Sequence, residues 1–397
     1  MATTTPPDLK TRTPRLWWRD NRWFFFGLLL VVAVNFTLRL RLATTPLERD
    51  EGEYAYTGQL LLRGIPPYKL AYNMKFPGTY FAYAGLMAVC GETTEGIHVG
   101  IALVTSLTAI LVGVLGRTLF GNCAGVLAAA SQVLLAATPA TFGLAGHATH
   151  FVALFTTAGA LVLVQAGERP VLWRGILAGT CFGVAILMKQ HAVLLAGAGL
   201  AWLGWWSWRQ RASLSGTTRL KFLAAYGMGC VAPLLIIGMA LAAAGVWPSF
   251  RFWTIQYAAQ YASAASIKTA WPSFLNGFTP VFQAAWPLWI LGLMGIGLIG
   301  ARRDRFLATI GIVLLVGGML AAVPGYHFRG HYFLAAVPGL AILIGATWES
   351  AWKRIQDRSG RMILGGMMLV AMAVSVGSNR EIWFQLPPMR SRGGNTL

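Results

Sequence analysis

Negative charge is what this 397-residue chain has least of: 13 Asp and Glu stand against 32 Lys and Arg, and charged residues of both signs make up only 11%. With 56% hydrophobic residues beside them, that scarcity excludes a soluble domain of this size. Cysteine is nearly absent as well. Three of the four (Cys123, Cys181, Cys230) fall inside apolar runs and Cys90 near the end of another, which leaves no disulfide framework and no C-x-x-C metal spacing. There is no Gly-rich nucleotide loop, no H-E-x-x-H and no defensible Ser/His/Asp order, so a nucleotide-consuming enzyme has no support. The net charge of +19 does not point to nucleic acid, because the basic residues sit in short groups between apolar runs and form no single basic face.

What is present is a succession of apolar runs long enough to cross a bilayer. The composition therefore reads as an all-α, polytopic transmembrane helical bundle of about 11 spans. They are expected near 23–43, 97–119, 122–138, 146–166, 172–188, 190–208, 221–244, 281–300, 306–323, 332–350 and 361–377. The stretch from 172 to 208 reads as one long helix or as two spans turning at Lys189-Gln190-His191. Arg169 and Arg174 before it and Arg209 and Arg211 after it should share a side of the membrane, which only two spans allow. Lys10, Arg12, Arg15, Arg19 and Arg22 precede the first run, and Arg39 and Arg41 close it with no convincing cleavage site. An uncleaved signal anchor follows, with a cytoplasmic N-terminal tail over 1–22, a membrane domain over 23–377 and a C-terminal tail over 378–397.

The few acidic residues are concentrated. Glu48, Asp50, Glu51, Glu53, Glu92 and Glu95 all lie in the first external loop, about 44–96, which is too long for a plain connector. Two interfacial helices are expected there. Asp50 and Glu53 have capping-box spacing, Gly64 and Pro66-Pro67 end the first helix, and Pro77 opens a second that runs to about Val89. Tyr54, Tyr56, Tyr68, Tyr72, Tyr80 and Tyr83 suit the headgroup level. A second external segment, about 245–280, mixes Trp247, Trp253, Tyr261 and Trp271 with Arg251 and Lys268, as an interfacial helix or lid would.

Asp50 and Glu51 are adjacent, so their side chains diverge and do not act as a facing pair; one works while the other supports. Asp50 is either a plain helix cap or a functional carboxylate, and the scarcity of acids favours function. Glu51 and Glu53 are read equally as functional carboxylates and as the helix-dipole complement and capping-box partner. Lys75, two residues before Pro77, would bring an ammonium to the free N–H groups of a helix start, a ready phosphate site, or else simply snorkel to the interface. Arg329 lies between His327 and His331; two histidines four apart offer weak metal spacing with no clear third ligand. His147, His150 and Lys189 are expected near the same face. Gly175-xxx-Gly179-xxx-Gly183 reads as a close-packing helix face.

These residues resemble the GT-C superfamily of polyprenyl- or dolichyl-phosphate-sugar-dependent glycosyltransferases, which includes protein O-mannosyltransferases and aminoarabinose transferases. The similar pieces are Asp50-Glu51-xx-Tyr54, Lys75-xx-Gly78-Thr79-Tyr80, Gly116-Arg117-Thr118-Leu119-Phe120-Gly121 and the run from His331 to Gly339. Phe76 departs from the family's Lys-Pro-Pro. The resemblance implies inverting transfer of a sugar from a polyprenyl-phosphate carrier to an unidentified acceptor, in the bilayer and on the non-cytoplasmic face, as in a bacterial inner membrane. It implies Asp50 as base with Glu51 beside it, and Lys75 on the carrier phosphate. Tyr54, Tyr80, His147, His150, Lys189, His327, Arg329 and His331 complete the expected substrate site. No dedicated metal ligands are expected, although some relatives use a divalent ion. A transporter or flippase for lipid-linked cargo is the competing reading, and a non-enzymatic scaffold a third.

Overall fold

The computed structural model describes residues 14–263, 266–300 and 303–385, and among these every regular element is a helix. Lys10, Arg12, Arg302 and the 386–397 part of the C-terminal tail lie outside the described residues. The chain opens with α1 (Pro14–Arg41), so the first helix begins ahead of the expected boundary at 22. α2 (Arg49–Leu62) and α3 (Gly78–Cys90) follow, then the long α4 (Thr94–Phe120), α5 (Asn122–Ala136), α6 (Ala148–Glu168), α7 (Leu172–Met188) and α8 (Val193–Arg209). Next come α9 (Gly216–Ala243), the short α10 (Trp247–Arg251) and α11 (Ala258–Ser263) joined by a π-helical turn, and α12 (Ile267–Gln283). α13 (Trp286–Gly300), α14 (Ile310–Ala321), α15 (Val337–Arg354) and α16 (Arg358–Ser378) complete the set.

All eleven expected apolar segments are helical. Five pass as spans by length and apolarity alone, namely α1, α4, α6, α9 and α16. The others are shorter helices. α12 and α13 meet at 101°, which corrects the expected 281–300 span: the crossing helix starts at Trp286, and α12 turns away from it. α12 packs Phe274 and Phe278 against Phe333 while Trp271 is 67% exposed, the two-faced character of an interfacial helix.

The turn at Lys189-Gln190-His191 separates α7 from α8, as the distribution of arginines required. α7 and α9 approach backbone to backbone, and Gly179 and Gly183 are the reason. A Cβ at either would run into the carbonyl of Tyr226 or Cys230 on α9, so only hydrogen fits.

The bundle has two chemically different ends. At one end, arginines lie over tryptophans: Arg22 on Trp23 at 5.2 Å, Arg174 on Trp173 at 5.5 Å, Arg211 on Trp208 at 4.3 Å and Arg361 on Trp352 at 4.9 Å. Such pairs mark a headgroup level. The other end carries α2, α3 and the connections before α6, α8 and α15, and gathers the acids, histidines and lysines.

Candidate active site

α2 sets the site by where it starts. Its N-cap is Glu48, in extended geometry, whose carboxylate accepts from the Asp50 amide at 2.7 Å while the Glu51 carboxylate accepts from the Glu48 amide at 2.9 Å. The capping box is thus Glu48–Glu51 and not the expected Asp50–Glu53; both pairs have the same spacing, and only one can begin the helix. This register frees Asp50 to face a cavity and turns Glu51 inward. The helix ends as expected, with Gly64 at φ +74° and the Ile65 amide returning to the Leu60 carbonyl. α3 starts one residue after Pro77 and ends at Gly91.

Asp50 and Lys75 share one cavity of about 370 Å³, together with Tyr54, Thr149, Lys189, His327, His331 and Tyr332. The Lys75 ammonium lies 3.3 Å from Asp50 Oδ2, 3.3 Å from Glu53 Oε2, and 4.5 Å above the Tyr54 ring. The 74–79 strand of chain is tied to the α7–α8 turn, since Thr79 Oγ1 donates to the Met188 carbonyl at 2.8 Å and Gln190 Nε2 to the Met74 carbonyl at 2.5 Å. Those two bonds bring Lys189 into the cavity with Lys75. The Lys189 ammonium lies over the Tyr332 ring at 3.5 Å and 3.4 Å from Thr149 Oγ1, with no carboxylate in ion-pair contact among the described residues. The π-helical segment and α11 close one wall through Thr254, Ile255, Ala258 and Tyr261, so the expected lid over 245–280 does border the site.

Burial, the largest influence on the Asp50 carboxyl, pushes its pKa up, but Lys75, His147 and Arg49 outweigh it and hold it below the ordinary carboxylate range. At Glu53 burial wins over Lys75 and Tyr80, and the carboxyl is raised. Burial lowers Lys75, yet Tyr54, Glu53 and Asp50 more than reverse this and keep the ammonium charged. Lys189 has weaker support: burial, with Lys75 nearby, outweighs Asp50 and pushes it down to about 7. Burial and then Lys189 keep His331 neutral.

His147 and His331 come together across 184 positions of sequence. Their rings stack at 3.9 Å with planes 4° apart, an arrangement two imidazolium cations would resist. Glycine permits the meeting. A Cβ at Gly330 would strike the Ala140 carbonyl, and one at Gly146 the Tyr83 hydroxyl, which donates to the Gly146 carbonyl at 2.7 Å. Ligand atoms of Asp50, His147 and His331 lie within 4.8 Å of one another, and both ring nitrogens of His147 are buried without a hydrogen-bond partner. One carboxylate and two neutral imidazoles are a donor set that suits zinc or a similar divalent ion, so the residues fit the divalent ion that the family resemblance allows. The sequence supplied no third ligand because Asp50 is contributed from 97 residues before His147.

Four expected site residues fall elsewhere. Glu51 is 1% exposed and works as a brace: it accepts from the Gly146 amide at 2.5 Å and lies 3.4 Å from His98 Nε2, facing a second cavity bordered by His98 and Phe142. A rotation of about 100° per residue separates it from Asp50. His150, three residues into α6, turns to a small polar pocket with Asn35, Thr105 and Gln132. Tyr80 stands behind the site, donating to Glu53 Oε1 at 3.1 Å. Arg329 is exposed, does not line the cavity and acts on Lys189 through its field. Sequence reasoning missed Thr149, Tyr261 and the cavity role of Tyr332; the only hint was the density of aromatic residues in 245–280 and 326–332.

Residues 75–237 match the model of a family described as dolichyl-phosphate-mannose-protein mannosyltransferase. No curated protein matches the chain. The fold is similar to that of ArnT from Cupriavidus metallidurans, solved bound to undecaprenyl phosphate: TM-score 0.56 at 20% identity, over 90% of this chain and 64% of that one. It is also similar to the oligosaccharyltransferase AglB from Archaeoglobus fulgidus, solved with an inhibitory peptide and a dolichol-phosphate: TM-score 0.61 at 12% identity, over 94% and 57%. The Archaeoglobus enzyme complexed with Zn and sulfate gives 0.57 at 12%, over 92% and 54%. The chain thus spans less than two thirds of the length of these relatives. The chain is a multi-pass helical membrane protein that shares the fold of these glycosyltransferases, and the family match begins at Lys75 and does not reach Asp50.

Proposed function

We propose that the protein is a glycosyltransferase that moves a sugar from a polyprenyl-phosphate carrier to an acceptor hydroxyl, with inversion, using Asp50 as the base. The observation that carries this is the placement of Asp50 beside two lysines, Lys75 and Lys189, in one cavity at a single end of an apolar bundle. A transporter should bring its ionisable groups toward the bilayer midplane, and these lie at one face.

In the reaction, the acceptor oxygen attacks the anomeric carbon as its proton passes to an Asp50 oxygen. The bond from the anomeric carbon to the phosphate oxygen breaks, and the carrier leaves as a phosphate monoester with added negative charge. Lys75 and Lys189 sit where that charge would grow, so they favour the transition state over the ground state. Lys75 has a second effect. A carrier phosphate competes with Asp50 for the ammonium, and drawing it away leaves the burial of Asp50 less compensated, which makes the carboxylate a stronger base as the donor docks. Tyr54 and Glu53 keep Lys75 charged and oriented meanwhile. A divalent ion, when bound by Asp50, His147 and His331, would supply Lewis-acid neutralisation of phosphate charge.

The basic ends of α1, α8 and α15, opposite the cavity, support a non-cytoplasmic active site, as in a bacterial inner membrane. The test is to offer the detergent-purified chain a panel of polyprenyl-phosphate sugars with membrane-extract acceptors. Free polyprenyl phosphate and a glycosylated product of matching mass are expected. If no donor in the panel is consumed while the protein stays folded, the transferase reading is overturned.

A further inference from the structure

At the end of the bundle away from the active site, the turn between α15 and α16 holds a recess of about 300 Å³ lined by Trp352, Gln356, Arg358, Arg361 and Met362. Its charges are not all spent. Lys353 is neutralised by Glu349 at 2.5 Å, and Asp357 turns its carboxylate onto the Gly360 amide at 2.6 Å, so the acid nearest the recess is committed to the helix start. Arg361 is held in place: its Nε donates to the Ile355 carbonyl at 3.0 Å, and its guanidinium lies 4.9 Å over Trp352, which itself stacks on Trp348. That fixes one edge of the guanidinium and leaves its two terminal nitrogens without a hydrogen-bond partner among the described residues. Arg358 is exposed, with no hydrogen-bond or ion-pair partner among the described residues.

The recess also opens in a defined direction. Met362, on its rim, is 64% exposed, and Ile363, Met367 and Val370 continue the same apolar surface along α16 at 61–63%. In a membrane-spanning bundle an uncovered apolar surface of that length faces acyl chains. The three other Arg–Trp pairs at this end place Trp352 at the headgroup level. A pre-oriented arginine, a free arginine and an indole above a lipid-facing apolar strip match one kind of ligand: a phosphate group carried on acyl chains.

We propose that this recess binds the headgroup of an anionic phospholipid from the leaflet opposite the active-site cavity, with the phosphate between Arg358 and Arg361 and the chains along Met362 and Met367. The site stands independently of the catalytic reading. It would fix the depth and tilt of α15, whose other end positions His331.

The experiment is native mass spectrometry of the full chain released from detergent after equilibration with phosphatidylglycerol or with phosphatidylcholine of the same chain length. Wild type should retain phosphatidylglycerol over phosphatidylcholine by roughly fivefold or more, and Arg358→Gln, which leaves the Arg361 bond to Ile355 intact, should lose most of that preference. Arg211→Gln, removing a charge from another Arg–Trp pair at the same end, should keep it. An unchanged preference in Arg358→Gln, or an equal loss in Arg211→Gln, would overturn the assignment. Inorganic phosphate in about hundredfold excess over lipid should not displace the adduct; displacement would make this a free-anion site and overturn the lipid assignment.

Discussion

The two ends of the bundle carry charge in opposite ways. At the basic end, arginines lie over indoles near the bundle surface, where each contact contributes only about 0.5–1 kcal/mol. At the cavity end, Asp50, Lys75, Lys189, His147 and His331 are drawn together out of water, at a cost folding alone would not favour. One lysine there is in direct contact with two carboxylates, and the other feels Asp50 only at a distance, too weakly to offset its burial. Burial of charge without full compensation teaches where chemistry is done, and compensation at the surface teaches where the lipid boundary runs.

The comparison breaks most sharply at Asp50. Asp50→Asn keeps the shape of the cavity, removes the proton acceptor and frees Lys75 of a competitor, so transfer should fall by about 10²–10⁴-fold with donor binding retained or tightened; initial rates over a donor titration check this. Removal of one imidazole acts next. His331→Ala should weaken zinc retention by roughly tenfold or more, read by titration against a chromophoric chelator, whereas Arg211→Gln at the other end should leave it alone.

The under-compensated lysine gives a pH signature. With a pKa lowered to about 7, Lys189 is cationic below that pH and loses its charge above it, while the phosphodiester of the donor stays anionic throughout. Donor affinity should therefore fall several-fold between about pH 6 and pH 8 and become flat in Lys189→Arg, whose guanidinium does not titrate there. The smallest effect belongs to Glu51. Glu51→Gln weakens the brace between α2, the Gly146 amide and His98 and should lower stability by about 1–3 kcal/mol, seen as an earlier thermal transition in detergent. Transfer by the folded variant should persist at a reduced rate; complete loss of transfer at full stability would return Glu51 to a direct chemical role.

Much of this was legible in the sequence for local reasons. Apolar run length gave the helices, the Gly175-Gly179-Gly183 spacing marked a close-packing face whose partner α9 only the structure identifies, and Gly64 and Pro77 bounded the two helices of the first loop. Asp50 and Lys75 were legible because acids are so scarce that a cluster of them stands out. The start of α2 was harder. Glu48 and Asp50 each have a Glu three residues on, Asp is the better cap by preference, and the structure uses Glu48 and so leaves Asp50 free. The His147–His331 stack was not legible at all, since it depends on two glycines letting distant loops touch. His150 and Arg329, within two positions of cavity residues in sequence, are expected in the site on that proximity, and the structure places both outside the cavity lining.

The account rests on the lipid phosphate docking at the buried, partly uncompensated end. Its most direct test is the affinity of the purified chain for polyprenyl phosphate, measured for wild type, Lys75→Met and Arg211→Gln. The prediction is a loss of about 10–100-fold in Lys75→Met, as expected for one charge-assisted contact, and no change in Arg211→Gln. Equal affinity in wild type and Lys75→Met, or a loss confined to Arg211→Gln, would contradict it.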